Sequence, residues 1–466
     1  MAAIHFGTDG WRARQNGDFT EENVSRVAWA CAEQFKQEES FKNAHAPYIL
    51  LAYDTRPHAD SFARLAAQVI SGNGIEARLS DSYIPTPALC WSIAQDPNCI
   101  GGLMLTASHN PADYLGIKVR MEDGGASTKA FTDKIEALLP DKAVTQKGEV
   151  QSVSLMDAYL RKLKSSVDTQ AILDAQLFVV HDAMYGASRQ YVPALFESLG
   201  IKTHAIRQEK KADFGGIHPE PIFPWIQETK DELLKVGAQA ALINDGDADR
   251  IGALDEFGNF VSPHKILTLL TLHLYNKGKR GRVVATSSGS SILKRAARDL
   301  GLSYTMRPIG FKYIYEEMLK GDVICGGEES GGIGVSEHVL ERDGLLLDLI
   351  LCEMMAKQQK SLSELVREIE DKYGKFYYSR YDLTLDDEVI ERFKGALVDF
   401  ELKEVAGSTV LTIDRRDGIR LDFEDDAWLL MRPSGTEPLV RIYAESLDKD
   451  EQERLVNWGR EFAQNA

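Results

Sequence analysis

The sequence predicts an α/β protein of three related α/β domains with mostly parallel mixed sheets, followed by a C-terminal α+β domain, around a central cleft. Three observations lead there. A strand–turn–helix unit recurs three times, the last quarter alternates in short β-like pieces, and 466 residues suit several domains at roughly 150 residues each. In the first unit Tyr48-Ile49-Leu50-Leu51-Ala52-Tyr53 reads as a buried strand ending at Asp54-Thr55-Arg56. A helix from about Ser61 to Ser71 and then Gly74-Ile75 follow. The second has Leu177-Phe178-Val179-Val180, a helix near Arg189–Leu199, and Gly200-Ile201. The third has Arg282-Val283-Val284-Ala285, a helix near Ser291–Leu300, and Gly301-Leu302. Each glycine supplies the left-handed conformation that ends a helix, and the apolar residue after it begins a strand. Strands alternating with helices imply largely parallel sheets.

From about Tyr377 the pattern changes to Tyr378–Leu383, Ser408–Ile413, Ile419–Phe423, Trp428–Arg432 and Leu439–Ala444, read as strands. A closing helix carries Leu455, Trp458 and Phe462 on one face. Domains are therefore expected over residues 1–150, 151–258, 259–372 and 373–466. Linkers are expected near Glu149–Ser154, Phe257–Pro263 and Glu370–Tyr377.

Apolar residues make up 44% of the chain, enough for several cores, and 54 Lys and Arg face 71 Asp and Glu. The net charge of −17 argues against nucleic acid and anionic membrane surfaces as partners, and requires a locally positive cleft for any anionic substrate. No signal peptide is expected, because Met1-Ala2-Ala3-Ile4-His5 leads straight into a motif. Leu345–Ala356 is broken by Asp348 and Glu353, so no membrane span is expected there. The five cysteines, Cys31, Cys90, Cys99, Cys325 and Cys352, are odd in number and form no CxxC. Reduced thiols in a cytoplasmic protein are the simplest account.

Chemistry concentrates in four loops. Met104-Leu105-Thr106-Ala107-Ser108-His109-Asn110-Pro111 places a hydroxyl just past an apolar strand that Gly101-Gly102 opens, where open α/β sheets bind ligands. The same residues also make an ordinary turn. Ala240-Ala241-Leu242-Ile243 runs into Asn244-Asp245-Gly246-Asp247-Ala248-Asp249-Arg250. Three alternating carboxylates repel one another unless a cation sits among them, and hard oxygen ligands select Mg²⁺ or Ca²⁺. A solvated acidic turn is the plain alternative. A helix–loop–helix calcium site is the sharper one, with Glu256 twelfth from Asp245. It fails because Arg250 stands at the sixth position, where glycine is needed, and because the flanks (Ala240–Ile243, Ile251–Leu254) are strand-like. Gly326-Gly327-Glu328-Glu329-Ser330-Gly331-Gly332 offers carboxylates and a hydroxyl that could orient sugar hydroxyls. Met431-Arg432-Pro433-Ser434-Gly435-Thr436-Glu437-Pro438 combines an arginine fork, two hydroxyls and backbone N–H groups, a natural phosphate cradle.

These loops together resemble those of the α-D-phosphohexomutases over essentially the full chain, and the family's four-domain plan agrees with the partition. The resemblance implies that Ser108 carries a phosphoryl group between turnovers. It implies one Mg²⁺ per chain, held by Asp245, Asp247 and Asp249 against Ser108, with Arg250 neutralising charge. Glu328 and Ser330 would bind the hexose, and Arg432, Ser434, Gly435 and Thr436 its distal phosphate. Phe6-Gly7-Thr8-Asp9-Gly10-Trp11-Arg12 resembles the family's N-terminal signature and puts Arg12 near the phosphoserine. Lys118 matches the lysine after the active serine and is the general acid/base candidate, for which a lowered pKa is expected. His109 either bonds the phosphoserine or braces the turn. Lys312 and, more weakly, Arg307 belong to a loop facing substrate, and Arg441 either assists the cradle or is an ordinary strand arginine. Many bacterial relatives carry a histidine where this chain has Gly332, so that residue's role does not carry over.

The implied activity is interconversion of glucose 1-phosphate and glucose 6-phosphate, with hexose 1,6-bisphosphate as intermediate and activator. A phosphomannomutase or dual-specificity enzyme is the main alternative, ahead of a phosphoglucosamine mutase. A simple phosphatase and a non-catalytic sugar-phosphate-binding protein are the other readings. Partners would be small hexose phosphates, and the protein a monomer or dimer.

Overall fold

The structure, a computed structural model, describes residues 4–7, 9–398, 400–434 and 439–466. Its first sheet runs in the order Trp11–Arg14, Tyr114–Arg120, Cys99–Leu105, Tyr48–Tyr53, Glu76–Ser80, Val150–Val153. The second runs Phe260–Val261, Ile251–Asp255, Ala240–Asn244, Phe178–Asp182, Lys202–Ile206. The third runs Ser303–Arg307, Arg282–Thr286, Val323–Gly327, Ile333–Val335.

One plan is common to all three. A central strand pairs in parallel with two neighbours, and one neighbour then reverses into an antiparallel partner. Tyr48–Tyr53 lies parallel to Glu76–Ser80 and Cys99–Leu105, and Cys99–Leu105 turns back as Tyr114–Arg120. Phe178–Asp182 lies parallel to Lys202–Ile206 and Ala240–Asn244, which turns back as Ile251–Asp255. Arg282–Thr286 lies parallel to Ser303–Arg307 and Val323–Gly327, which turns back as Ile333–Val335. The three reversals are residues 106–113, 245–250 and 328–332, so serine, aspartates and glutamates occupy equivalent places in the repeat. Each lies past the carboxyl end of a parallel strand.

The central strands are apolar because both faces are covered. Ile49, Leu51, Val179, Val180, Val283 and Val284 are all fully buried. Gly200 and Gly301 take positive φ, as helix-ending glycines should. Gly344–Gln358 is apolar on every side, and a helix of that kind packs in an interior. Its Glu353 is met there by His273 and Lys277. Among the described residues no helix is long and apolar enough to cross a membrane, and all five cysteines are buried and free.

The fourth sheet is antiparallel throughout, in the order Tyr377–Thr384, Leu439–Ser446, Trp428–Pro433, Ile419–Asp422, Thr412–Asp414. Helix Lys449–Asn465 packs on it, with Leu455 buried and Trp458 and Phe462 against the same core. Several details differ from the sequence reading. Ser408–Ile413 is not one strand: Ser408–Thr409 pairs with Glu404–Val405 in a separate hairpin, and Thr412–Asp414 edges the main sheet. Helix Asp387–Val398 was missed, although Ile390, Phe393 and Leu397 stand at helical spacing and are buried. The expected linkers are mostly ordered elements. Val150–Val153 adds an edge strand to the first sheet, where its unpaired backbone finds partners on Ala77–Ser80. Phe260–Val261 pairs with Ala253 and Leu254. Helix Leu362–Tyr373 breaks only at Gly374, whose φ is +106°.

Phe393 is fully buried in the fourth core. Phe393→Ala should cost about 3–5 kcal/mol, read as a lower urea midpoint for that domain's unfolding by hydrogen exchange. A shift below about 1 kcal/mol would mean the helix is only loosely docked.

Candidate functional site

The serine loop is positioned by an arginine that the sequence reading passed over. Arg56, buried past the end of Tyr48–Tyr53, donates from Nη2 to the carbonyls of Ser108 and Asn110, each at 2.6 Å. Its Nη1 donates to Pro111 at 2.7 Å and Tyr114 at 3.1 Å. One planar fork therefore fixes four carbonyls around Ser108. Below it, Asp54 lies 3.3 Å from Arg56 Nε and accepts the Thr106 hydroxyl, whose oxygen accepts the Ser108 N–H at 2.9 Å. These bonds hold Ser108 at φ 52°, left-handed and costly for a serine. Gly246 of the aspartate loop packs on the Ser108 carbonyl so closely that a Cβ would collide with it.

Ser108 Oγ consequently donates to Asp245 Oδ2 at 2.8 Å, across 137 residues of sequence. The aspartate loop lies in the antiparallel hairpin of Ala240–Asn244 and Ile251–Asp255, with Ala248 at φ 57° turning it. Asp245, Asp247 and Asp249 are fully buried and can bring ligand oxygens within 4.8 Å of one another. Lys118 reaches in from Tyr114–Arg120, with Nζ 2.8 Å from Asp247 Oδ2, 2.7 Å from Asp249 Oδ2 and 3.0 Å from Asp9 Oδ2. Among the described residues Asp247 Oδ1 and Asp249 Oδ1 are buried with no hydrogen-bond partner. Orphaned carboxylate oxygens at that depth are costly unless a cation takes them, so the trio fits a hard divalent ion.

Charge around the loop is shared among three domains. Arg342 lies 2.9 Å from Asp249, 3.6 Å from Glu328 and 3.1 Å from Glu341, and also pairs with Asp9. Arg120 pairs with Asp9 at 2.9 Å and Glu341 at 3.0 Å. Arg250 stands 3.9 Å from both Asp245 and Asp249. Burial pushes Asp245 well above the usual carboxylate range, and Asp247 and Asp249 add to it. Burial acts the same way on Asp247, but the Lys118 ammonium outweighs it and holds that carboxyl below its usual value. For Lys118, burial alone would lower the pKa. Its three carboxylates reverse that and raise it, so the expected lowered value is not found and the side chain is a held ammonium. Burial, with Arg250, Arg12, Lys118 and Arg56 around it, keeps the His109 imidazole neutral.

The remaining expected residues fall as follows. Arg12 donates to Asn110 Oδ1 at 2.7 Å, bracing the serine loop, and His109 Nδ1 is 3.4 Å from Ser108 Oγ. The glutamate loop is joined to the aspartate loop by an antiparallel bridge between Arg250 and Gly332. Burial lifts Glu328 to about 7 against the pull of Arg342. Ser330 is half-buried in that turn. A Cβ at Gly332 would run into the Arg342 side chain, so a larger residue there is excluded by the arginine. Lys312 is half-buried, with burial and nearby Lys129 lowering its pKa. Arg307 is spent on Glu316 and Glu317. Arg432 pairs with Asp417 at 2.6 Å, the Ser434 N–H closes its turn onto Leu439, and Arg441 lies 3.6 Å from Asp382. Gly435 and Thr436 lie outside the described residues. Arg56, Arg120 and Arg342 were missed because isolated arginines carry no spacing signal, and Asp9 stood inside the N-terminal signature without a role assigned to it. Only Asp54-Thr55-Arg56 at a strand end hinted at a role.

Comparison with known proteins gives the family. Models of phosphoglucomutase/phosphomannomutase α/β/α domains I, II and III match residues 3–145, 157–258 and 262–373, and the C-terminal domain model matches 357–457. A phosphoglucomutase/phosphomannomutase of Thermococcus kodakarensis is 28% identical, over 99% of this chain and 98% of that one. A phosphoglucosamine mutase of Carboxydothermus hydrogenoformans is 30% identical, over 97% of each. A crystal structure from Thermus thermophilus, provisionally named a phosphomannomutase, superposes with a TM-score of 0.88 at 34% identity, over 99% of both chains.

Arg56→Lys keeps the charge but cannot hold four carbonyls. The fold should survive by circular dichroism, while kcat for hexose-phosphate isomerisation should fall about a hundredfold or more through misplacement of Ser108. An unchanged kcat would show that the clamp does not position the serine.

Proposed function

The chain belongs to the phosphoglucomutase/phosphomannomutase family and is a phosphohexomutase, and we propose that it interconverts glucose 1-phosphate and glucose 6-phosphate through phosphorylated Ser108. The observation that carries this reading is the 2.8 Å bond from Ser108 Oγ to Asp245, which puts the strand-end serine on the edge of the carboxylate trio. In the proposed cycle the sugar's free hydroxyl attacks phosphorus, the bond to Ser108 Oγ breaks, and the hydroxyl's proton ends on the departing Ser108 oxygen. The hexose 1,6-bisphosphate turns over in the cleft, and its other phosphoryl group returns to Ser108. Asp245, Asp247 and Asp249 would hold Mg²⁺, which supplies charge neutralisation for the transferring phosphoryl group.

The protein's own groups do the rest. Lys118, as a held ammonium, and Arg250 offset charge that builds on phosphoryl oxygens. Neutral His109 braces the serine without repelling the other cations. Glu328 and Ser330 orient the hexose, and Arg432, Ser434, Gly435 and Thr436 grip whichever phosphate is distal. One grip must serve both orientations, so the fourth domain has to open between them.

A second reading, phosphoglucosamine mutase, is favoured by the names of relatives such as that of Carboxydothermus hydrogenoformans. Glucose and mannose differ only at C2, which a loop reading shared hydroxyls discriminates poorly, so phosphomannomutase activity is expected as well.

Mass spectrometry of the purified chain should find phosphate on the Ser108 peptide, and Ser108→Ala should lose isomerisation even with glucose 1,6-bisphosphate added. Release of inorganic phosphate without isomerisation would mean a phosphatase, and absence of both phosphoserine and turnover a binding protein. Chelation should abolish turnover and Mg²⁺ restore it. Among glucose, mannose and glucosamine 1-phosphates, kcat/KM should be highest for glucose. A glucosamine preference of tenfold or more would overturn that assignment.

A further inference from the structure

Resting on the reading of Arg432 as the distal phosphate grip, we propose that Asp417 is a positioning residue that sets the grip and couples it to the third domain. Asp417 sits on the turn leading into Ile419–Asp422, beside the strand Trp428–Pro433 that carries Arg432. The turn is fixed by Gly418 at φ +77°, where a Cβ would strike the Met431 carbonyl. That close approach brings Asp417 Oδ1 to 2.6 Å from Arg432 Nε. Both side chains are mostly shielded, at 13% and 14% exposure, so the pair is screened less than a surface ion pair.

The other oxygen of the same carboxylate leaves the domain. Asp417 Oδ2 accepts the Ile309 N–H at 2.7 Å and the Ser287 hydroxyl at 3.1 Å. Ser287 follows the strand Arg282–Thr286, and Ile309 lies in the loop between Ser303–Arg307 and the helix Phe311–Met318 that bears Lys312. Next to it, Arg420 donates to the Ser287 carbonyl and stacks over Trp428 at 4.2 Å. One carboxylate thus ties the arginine of the fourth domain to the loop of the third that leads into the helix bearing Lys312.

Two consequences follow from the chemistry. Binding through Nε fixes the plane of the guanidinium and directs its terminal nitrogens away from Asp417, the geometry needed for a two-pronged bond to a phosphate. Arg432 and Arg441 also stand directly opposite each other on adjacent strands, a like-charge pairing that destabilises a sheet. Asp417 offsets that repulsion on one side, and Asp382, 3.6 Å from Arg441, does so on the other. The seam contains a second buried carboxylate, Glu445, which accepts from Ser291 N at 2.7 Å and Trp428 Nε1 at 2.9 Å and touches neither arginine of the grip. It separates loosening of the seam from misplacement of Arg432.

The test uses the full-length Mg²⁺-loaded protein, with KM and kcat for glucose 1-phosphate and the Kd of glucose 6-phosphate by calorimetry. Asp417→Asn should raise KM and Kd about tenfold or more, with a smaller change in kcat. Glu445→Gln should move them less than about threefold, since a neutral acceptor remains and no grip residue is touched. In an Arg432→Lys background the Asp417→Asn effect should largely vanish, because the side chain it positions has gone. Equal losses in Asp417→Asn and Glu445→Gln, or an undiminished Asp417→Asn effect beside Arg432→Lys, would reduce Asp417 to a seam residue and overturn the inference. A wild-type chain that turns over normally while Asp417→Asn binds equally well would overturn it too, leaving the mutase reading intact. A wild-type chain with no affinity for either hexose phosphate would overturn both.

Discussion

Three carboxylates closed inside one six-residue turn set the terms for everything around them. Asp245, Asp247 and Asp249 have no exposure to water, and their mutual repulsion must be met by partners from other parts of the chain. Lys118 arrives from the first domain and Arg342 from the third, while Arg250 follows directly in sequence. Around them Asp9, Glu328 and Glu341 crowd against Arg12, Arg56 and Arg120 as well. Two carboxylate oxygens of the trio are left without a hydrogen-bond partner. A divalent cation would close that gap, and a phosphoserine beside it would deepen the need. Asp247, Asp249 and Asp9 around Lys118 hold it as an ammonium, which suits charge stabilisation better than proton abstraction.

The repeat supplies the means of bringing these parts together. In each α/β domain the strand beside the centre reverses into an antiparallel partner, and that reversal projects a loop past the carboxyl edge of the sheet. The serine, aspartate and glutamate loops are one structural position used three times. Close backbone approaches lock them together: Gly246 against the Ser108 carbonyl, and Gly332 bridged to Arg250. A larger residue at Gly246 would force the serine and aspartate loops apart. The fourth domain adds Arg432 on a purely antiparallel sheet, joined to the third domain by the hydrogen bonds of Asp417, Arg420 and Glu445 and by Ile309 packed on Trp428, Leu430 and Tyr443.

Much of this was legible in the sequence, for identifiable reasons. The buried strands Tyr48–Tyr53 and Arg282–Thr286 announced themselves as apolar runs closed by polar turns, and the helix-ending glycines at 200 and 301 marked the units. Alternating aspartates on a strand-flanked loop pointed to a cation without reference to any fold. Tertiary context supplied what was not legible. Val150–Val153 is a strand only because an edge of the first sheet needed a partner. Arg56, Arg120 and Arg342 are solitary in sequence, and only folding surrounds them with carbonyls and carboxylates. The pKa of Lys118 could not be foreseen either, since its direction depends on three carboxylates distant in the chain.

The most direct test of the account is whether phosphorus on Ser108 and a metal held by the aspartate trio are bonded neighbours. Electron–nuclear double resonance on the phosphorylated protein loaded with Mn²⁺ in place of Mg²⁺ reads that adjacency. The expected spectrum shows an inner-sphere ³¹P coupling that disappears in Ser108→Ala. Tight Mn²⁺ binding with no ³¹P coupling in protein proven to carry the phosphate would contradict it.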